Sequence, residues 1–356
     1  MDKIIKKVIQ QIQDAGFKAY VVGGYTRDSL LGRITFDVDI CTNALPKDIH
    51  AIFNISNSNN YGGSNLKIGK FNIDITTFRK ELKYVGRKPV LMEYIDDLKM
   101  DLIRRDFTIN AIVMDENDAF IDPLNGISDL EKRIIKIIGN PEERLKEDPL
   151  RILRAIRFAT VLDFEIEDSL YRAMKACAGY TATLSKMRIK QEMSKILLSK
   201  NFKNGLKMMK ELGLDQVLGI TYEDVIFTND LQGMWAQVKI CDIPFTNTEK
   251  SNIIKIAEVV QLGEISMATV YKYGLYVTTT AGSILGVSAN TINKMYKELP
   301  IKERKDIVVS GKDIIEILAI EDKRSVRFIL DDIEEKIVNG ILENSRVAIE
   351  NYLKNK

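Results

Sequence analysis

Apolar positions change their period several times in the first eighty residues. Ile4, Ile5, Val8, Ile9 and Ile12 recur at helical spacing and predict a helix over residues 2–15. "AYVVGG" then reads as a short buried strand, and "TRDSLLG" as a short helix stopped by Gly32. "TFDVDICT" alternates polar and apolar, as a half-buried strand does. A helix is expected after Pro46, then the polar loop "NISNSNNYGGSN", then strands at "KFNIDITTF", "FTINAIVMD" and "AFIDP". From "NPEERLKEDPLRILRAIRFATVL" onward the helical period runs to the end. The pattern predicts an α/β head over residues 1–138, followed by helical segments over 139–199, 200–263 and 264–356. The internal breaks, near 199–204 and at Gly263, are weakly marked.

Composition narrows the function. With 356 residues, 45% of them apolar, the chain has material for two to four cores. No run of eighteen apolar residues occurs, so no membrane span is expected. The N-terminal segment lacks a small-residue cleavage site and does not read as a signal peptide. Cys41, Cys177 and Cys241 are scattered and odd in number, which points to a reducing cytoplasm rather than a disulfide frame or zinc site. The net charge is only +2, so a nucleic-acid partner requires basic residues segregated onto one face. The single histidine, His50, rules out a multi-histidine metal centre. A Ser-His-Asp triad would have to use His50, and no nucleophile-elbow motif accompanies it. An ordinary helix residue is the simpler reading.

The chemistry begins in "VVGGYTRDSLLGRITFDVDICT". In a strand, Asp37 and Asp39 point the same way while Val38 and Ile40 enter the core. Two carboxylates so close repel each other unless a cation lies between them. Oxygen ligands alone favour Mg²⁺, which keeps waters and binds phosphate oxygens. Asp74, between Ile73 and Ile75 in "FNIDITTF", stands on the polar face of a similar strand. Three carboxylates on neighbouring strands suit two metals about 4 Å apart, the arrangement of in-line phosphoryl transfer. Gly23 and Gly24 end a strand just before a helix, where backbone N–H groups can approach an anion. Arg27 adds a charge for a phosphate. Each piece has a plainer reading: a solvated turn for Asp-x-Asp, a simple bend for Gly-Gly, a solvent-facing strand position for Asp74. The ordered combination favours the functional one.

"GGYTRDSLLGRITFDVDICTNALP" resembles the first motif of the class II tRNA nucleotidyltransferase and poly(A) polymerase family, of the polymerase-beta nucleotidyltransferase superfamily. "DLIRRDFTINAI" resembles its second motif, "EDPLRILRAIRFA" a later one, and "LSKMRIKQEMSKIL" the helical motif after that. "VSGKDIIEIL" and "GILENS" resemble its C-terminal domain. The sequence departs from the family pattern at Thr26, where an apolar residue is usual, and at Met187, where Glu is usual. It also lacks a His-Gly near "NYGGSNLKIGKF" and is about one residue short after Arg79. The resemblance implies a polymerase-beta-like α/β nucleotidyltransferase head followed by an elongated all-helical neck, body and tail. It implies addition of C, C and A to the tRNA 3′ end from CTP and ATP, with neither membrane nor DNA as a partner.

Cytosine and adenine share an exocyclic amine beside an unprotonated ring nitrogen, and uracil and guanine present the reverse. An acceptor next to a donor would therefore admit C and A. Asp148 and Arg151, three apart on one helical face, match the family's nucleotide-reading pair. Taken alone, Asp148 before Pro149 reads as a helix cap. Arg154 and Arg157 continue at three-residue steps, a spacing that also suits a solvated face; the resemblance gives them the phosphates and nucleotide. It gives Asp106 and Asn110 the ribose hydroxyl and Arg105 the nucleotide, where the residues alone also suit a capped turn. Asp37 and Asp39 would bind Mg²⁺, with Asp74 helping to activate the primer hydroxyl. The charged segment Arg79 to Met92, with Gly86 as a pivot, matches a loop that is flexible in family members adding all three nucleotides. An A-adding enzyme, a CC-adding enzyme and a poly(A) polymerase are the alternatives within the family; the polymerase is disfavoured by the lack of a basic C-terminal extension. A catalytically idle RNA-binding protein is the alternative outside it.

Overall fold

The computed structural model describes residues 1–55, 63–85, 88–320 and 323–355. The chain divides into two compact units, Met1–Ile220 and Thr221–Lys356.

The first unit opens with α1 (Lys3–Asp14), capped by Asp2, whose carboxylate accepts the Ile4 N–H at 2.9 Å. The predicted helical stripe holds: Ile5, Val8, Ile9 and Ile12 are buried. Then come β1 (Ala19–Val22), α2 (Gly24–Leu30), β2 (Asp37–Thr42), α3 (Pro46–Phe53), β3 (Gly63–Ile68) and β4 (Phe71–Thr77). His50 falls on α3, as an ordinary helix residue would. Most of the predicted polar loop after α3 lies outside the described residues. A hairpin, β5 (Arg79–Val85) and β6 (Lys88–Tyr94), leads into α4 (Leu98–Ile103). The strands β7 (Val113–Met114) and β8 (Phe120–Ile121) complete a six-stranded sheet ordered β3-β4-β2-β1-β7-β8. One face packs on α1 and α3 through Val21, Val38, Ile40, Ile73 and Ile75. On the other face Cys41, Phe78, Leu102 and Val113 form a second cluster.

The unit continues through α5 (Gly126–Glu131), β9 (Ile134–Ile135), α6 (Pro141–Glu147), α7 (Leu150–Leu162) and β10 (Glu165–Ile166). The helices α8 (Asp168–Cys177), α9 (Lys186–Leu197), α10 (Phe202–Glu211) and α11 (Leu214–Leu218) finish it.

One expectation changes, and one segment gains a structure. "FTINAIVMD" is a strand only at Val113–Met114; Thr108–Asn110 form a 3₁₀ turn. Polar side chains impose that turn, because Asn110 donates to Asp106 and Thr108 donates to Asp129. The segment Arg79 to Met92 is an antiparallel hairpin, with Arg79 opposite Tyr94 and Val85 opposite Lys88. Gly86, the expected pivot, lies outside the described residues.

The second unit is mainly helical: α12 (Leu231–Ala236), α13 (Asn247–Leu262), α14 (Met267–Leu285), α15 (Ala289–Glu298), α16 (Gly311–Leu318), α17 (Lys323–Val338) and α18 (Arg346–Lys354). Thr246 and Glu249 form a reciprocal capping box on α13, which ends at Gly263 in the left-handed conformation. Its largest core gathers Val270, Ile292, Ile314, Ile333, Ile337 and Ile349. Among the described residues, no helix is long and apolar enough to cross a membrane.

Candidate active site

Parallel pairing of β2 with β4 sets Asp39 opposite Asp74 and Asp37 opposite Asn72. Strand alternation leaves all three carboxylates on the exposed side while Val38, Ile40, Ile73 and Ile75 are buried. Amides hold two of them: Asn72 Nδ2 donates to Asp37 Oδ1 at 3.1 Å, and Asn65 Nδ2 to Asp74 Oδ1 at 2.8 Å. Asp39 reaches solvent, but the cleft walls around it strip much of its hydration, and that desolvation pushes its carboxyl above the ordinary range. Asp74 and Asp37 add to the rise, against the pull of Arg105 and Arg154. Among the described residues, no three His, Cys, Asp or Glu side chains converge as a metal-binding group. The ledge thus presents Asp37 and Asp39 from one strand with Asp74 across from them.

Gly23 answers for the double glycine. Its φ is +77°, and a Cβ there would meet Asp39 Oδ2 at 2.8 Å. Only glycine lets the turn before α2 close on the carboxylate strand without strain.

A cleft of about 530 Å³ lies above this floor. It gathers eleven of the predicted residues: Gly23, Gly24, Arg27, Asp39, Arg105, Asp106, Asn110, Asp148, Arg151, Arg154 and Arg157. Asp37 and Asp74 stand on the ledge outside its lining. Eight cationic side chains face four carboxylates in that lining, an excess suited to a polyphosphate.

The polar side chains hold one another. Arg27 pairs with Asp28 at 2.8 Å and donates to Asn110 Oδ1 at 2.7 Å. Asn110 donates on to Asp106 Oδ1 at 3.1 Å, while Arg154 Nε reaches Asp106 Oδ2 at 2.7 Å. Burial alone would raise the Asp106 carboxyl. Arg154, Asn110 and the Phe107 N–H together outweigh it and bring the pKa to about 2. Arg157 is paired with the buried Glu192 of α9 at 2.6 Å. The guanidiniums of Arg27, Arg154 and Arg157 surround the Phe158 ring at 5.1, 5.4 and 3.9 Å.

Asp148 sits at the junction of α6 and α7, where its Oδ1 accepts the Leu150 N–H at 3.0 Å. The capping tendency of Asp before Pro is thus expressed, but α7 begins at Leu150, with Pro149 just outside it. Arg151 is buried, donating to the Arg144 carbonyl at 2.6 Å and paired with Glu147 at 3.1 Å. Both keep a place on the cleft wall.

Sequence reasoning passed over several supporting residues. Asp101, fully buried, binds Arg104 and Arg105 and accepts the Arg79 N–H. Arg144 donates to the carbonyls of Arg104 and Arg105, tying that segment to α6. Arg79, Glu81, Arg104, Phe158 and Lys195 line the cleft as well. The "DLIRR" spacing, Asp101 three and four residues before two arginines, is the signal that reveals the first of these. Thr26 is fully buried and its hydroxyl finds no hydrogen-bond partner among the described residues; Met187 is about half exposed on α9.

Residues 19–136 match the family model of the poly(A) polymerase head domain. Residues 163–219 match the family model described as "Probable RNA and SrmB- binding site of polymerase A", and 225–353 match the model described as "tRNA nucleotidyltransferase domain 2 putative". The α/β head is therefore that of a nucleotidyltransferase. The CCA-adding enzyme of Ligilactobacillus salivarius is 33% identical over 98% of this chain and 95% of its own. That of Lactococcus lactis is 35% identical over 97% and 95%. The crystal structure of the Bacillus stearothermophilus CCA-adding enzyme in complex with CTP superposes with a TM-score of 0.84 at 27% identity, covering 100% of this chain and 98% of that one. The chain belongs to the CCA-adding enzyme family of tRNA nucleotidyltransferases.

Proposed function

We propose that this protein adds C, C and A to the 3′ end of tRNA without a template, using CTP and ATP and releasing pyrophosphate. The observation that carries the reading is the cleft itself. One concave surface joins a carboxylate floor, a glycine turn, an arginine excess, and the adjacent acceptor and donor Asp148 and Arg151. The reading has further support in the CCA-adding relatives and in the structure bound to CTP.

The primer's 3′-hydroxyl gives up its proton, for which Asp74 is the assigned acceptor, as its oxygen bonds to the α-phosphorus and the bond to the departing pyrophosphate breaks. The protein's share is positioning and charge neutralisation. Arg154 and Asn110 hold Asp106 ionised toward the ribose. Arg27 and the Gly23–Gly24 backbone receive phosphate. Asp148 accepts from the amine of C or A, and Arg151 donates to the ring nitrogen; U and G leave both groups unpaired. Asp37 and Asp39 suit a divalent cation, because they are oxygen-only donors, the close side-chain partner of Asp37 is an amide rather than a cation, and Asp39 is held above its ordinary range. We assign Mg²⁺, which when bound would neutralise charge on the phosphate oxygens. Action in a reducing cytoplasm belongs to the same proposal.

The test is incubation with tRNAs ending before, within and after CCA, with each labelled nucleotide alone and in mixtures. Ordered C, C, A addition that stops at A is expected. Addition of only CC or only A would replace the proposal with that narrower activity, and no transfer at all would refute it.

A further inference from the structure

Each of the seven arginines lining the cleft has a carboxylate oxygen within 3.2 Å. Lys195 is the exception. It lies in the last turn of α9, three residues beyond Glu192, lines the same cleft, and makes no ion pair among the described residues. An unpartnered cation among paired ones is available to an anion that arrives with substrate. Its place says which anion. Arg151, Arg154 and Arg157 climb one face of α7, rising about 9 Å from first to last. Arg151 stands beside Asp148 and Arg154 holds Asp106, so base, sugar and phosphates would follow in that order. Glu192, one turn earlier on α9, pairs with Arg157, and Lys195 lines the cleft beside that arginine, which puts it at the Arg157 end of the row.

We propose that Lys195 binds the outer phosphates of the incoming nucleoside triphosphate and the pyrophosphate that leaves. The inference rests on the nucleotidyltransferase reading of the cleft and extends it to a residue that reading does not use. The local field agrees. Burial, then Arg157 and Arg154, lower the pKa of Lys195 against the opposing pull of Glu192 and Asp37. An incoming polyphosphate would relieve that cost, so binding and protonation of Lys195 favour each other.

The experiment is calorimetric titration of the wild type, Lys195→Met and Lys195→Arg with inorganic pyrophosphate, CTP and CMP, in Mg²⁺ buffer. A lost charge-assisted bond should weaken pyrophosphate and CTP binding roughly 10- to 100-fold in Lys195→Met. CMP, which lacks the outer phosphates, should bind as in the wild type. Lys195→Arg should recover much of the loss, since it keeps charge and donors. Unchanged pyrophosphate binding in Lys195→Met, equal weakening of CMP and CTP, or no recovery by Lys195→Arg would each overturn the assignment. Label transfer to tRNA by the wild type is run alongside. Without transfer the functional reading falls, whatever Lys195 binds; with transfer but normal pyrophosphate binding by Lys195→Met, only this inference falls.

Discussion

Asp39 and Asp106 belong to one cleft, yet the protein treats them in opposite ways. Asp39, on the strand ledge, is held above its ordinary range by desolvation and by the carboxylates beside it, with Arg105 and Arg154 only partly offsetting them. Asp106, against α7, is held at about 2 because Arg154, Asn110 and a backbone N–H outweigh the cost of burial. The ledge leaves charge uncompensated, and the helical wall cancels it internally. Uncompensated carboxylates hold a place for a cation from outside. Cancelled charges fix the shape of a pocket, because no group in them is free to turn away.

The hardest way to break this contrast is to neutralise the ledge. Asp37→Asn or Asp39→Asn should lower nucleotide transfer at least about 10³-fold, on the scale of losing a transition-state charge contact. Affinity for tRNA, measured by filter binding, should stay within a few-fold. Near-normal turnover in Mg²⁺ would end the assignment of these residues. The wall should fail differently. Glu192→Ala leaves the largely buried Arg157 without its partner at 2.6 Å, a change that costs about 3 kcal/mol of folding stability. Replacing both, Glu192→Leu with Arg157→Met, should recover part of it. A thermal midpoint unmoved by Glu192→Ala would show that the pair does not hold α7 to α9.

These two regions were also unequally legible in the sequence. The ledge could be read almost directly, since a two-residue period puts Asp37, Asp39 and Asp74 on one side and Val38 and Ile73 on the other. The wall was legible only as separate residues, Asp106, Asn110, Asp148 and the arginines, and not as pairs. Periodicity places Arg154 and Arg157 on α7, but it cannot say that Asp106 and Glu192 come from 48 residues before and 35 residues after to meet them. The segment Arg79 to Met92 reads as a loop pivoting on Gly86, although Leu82, Tyr84 and Val85 before that glycine and Val90, Leu91 and Met92 after it carry the strand signal. The 3₁₀ turn at Thr108–Asn110 was hidden because its cause is a set of side-chain hydrogen bonds rather than an apolar pattern.

Base choice tests whether the wall reads as well as shapes. Asp148 caps Leu150 and Arg151 pairs with Glu147, so each has a structural duty besides any contact with a nucleotide. Exchanging them, Asp148→Arg with Arg151→Asp, should depress use of CTP and ATP relative to UTP and GTP. The expected shift is roughly 10- to 100-fold, the value of one to two charge-assisted bonds. Single-nucleotide incorporation measures it. An equal drop for all four nucleotides would leave the pair a structural one.

The smallest effect sharpens the comparison most, because it predicts opposite signs for two aspartates. Asp106 has a folded pKa of about 2 against an ordinary 3.8, so the folded state binds its proton more weakly than the unfolded one. Its stabilisation is complete above the ordinary value and is lost as pH falls from about 4 through 2, amounting to about 2 kcal/mol. Asp106→Asn should therefore lower stability at pH 7 and flatten its acid dependence. Asp39 is shifted the other way, so its ionised form is the less favourable one in the fold, and its contribution improves as pH falls through the raised value. Asp39→Asn should raise the thermal midpoint at pH 7 in the absence of divalent cation. Adding Mg²⁺ should then stabilise the wild type and leave Asp39→Asn unmoved. Melting curves of the three proteins across pH, with and without Mg²⁺, decide the matter. If both variants lose stability alike, the ledge is built to hold itself together, and the distinction between an open floor and a closed wall fails.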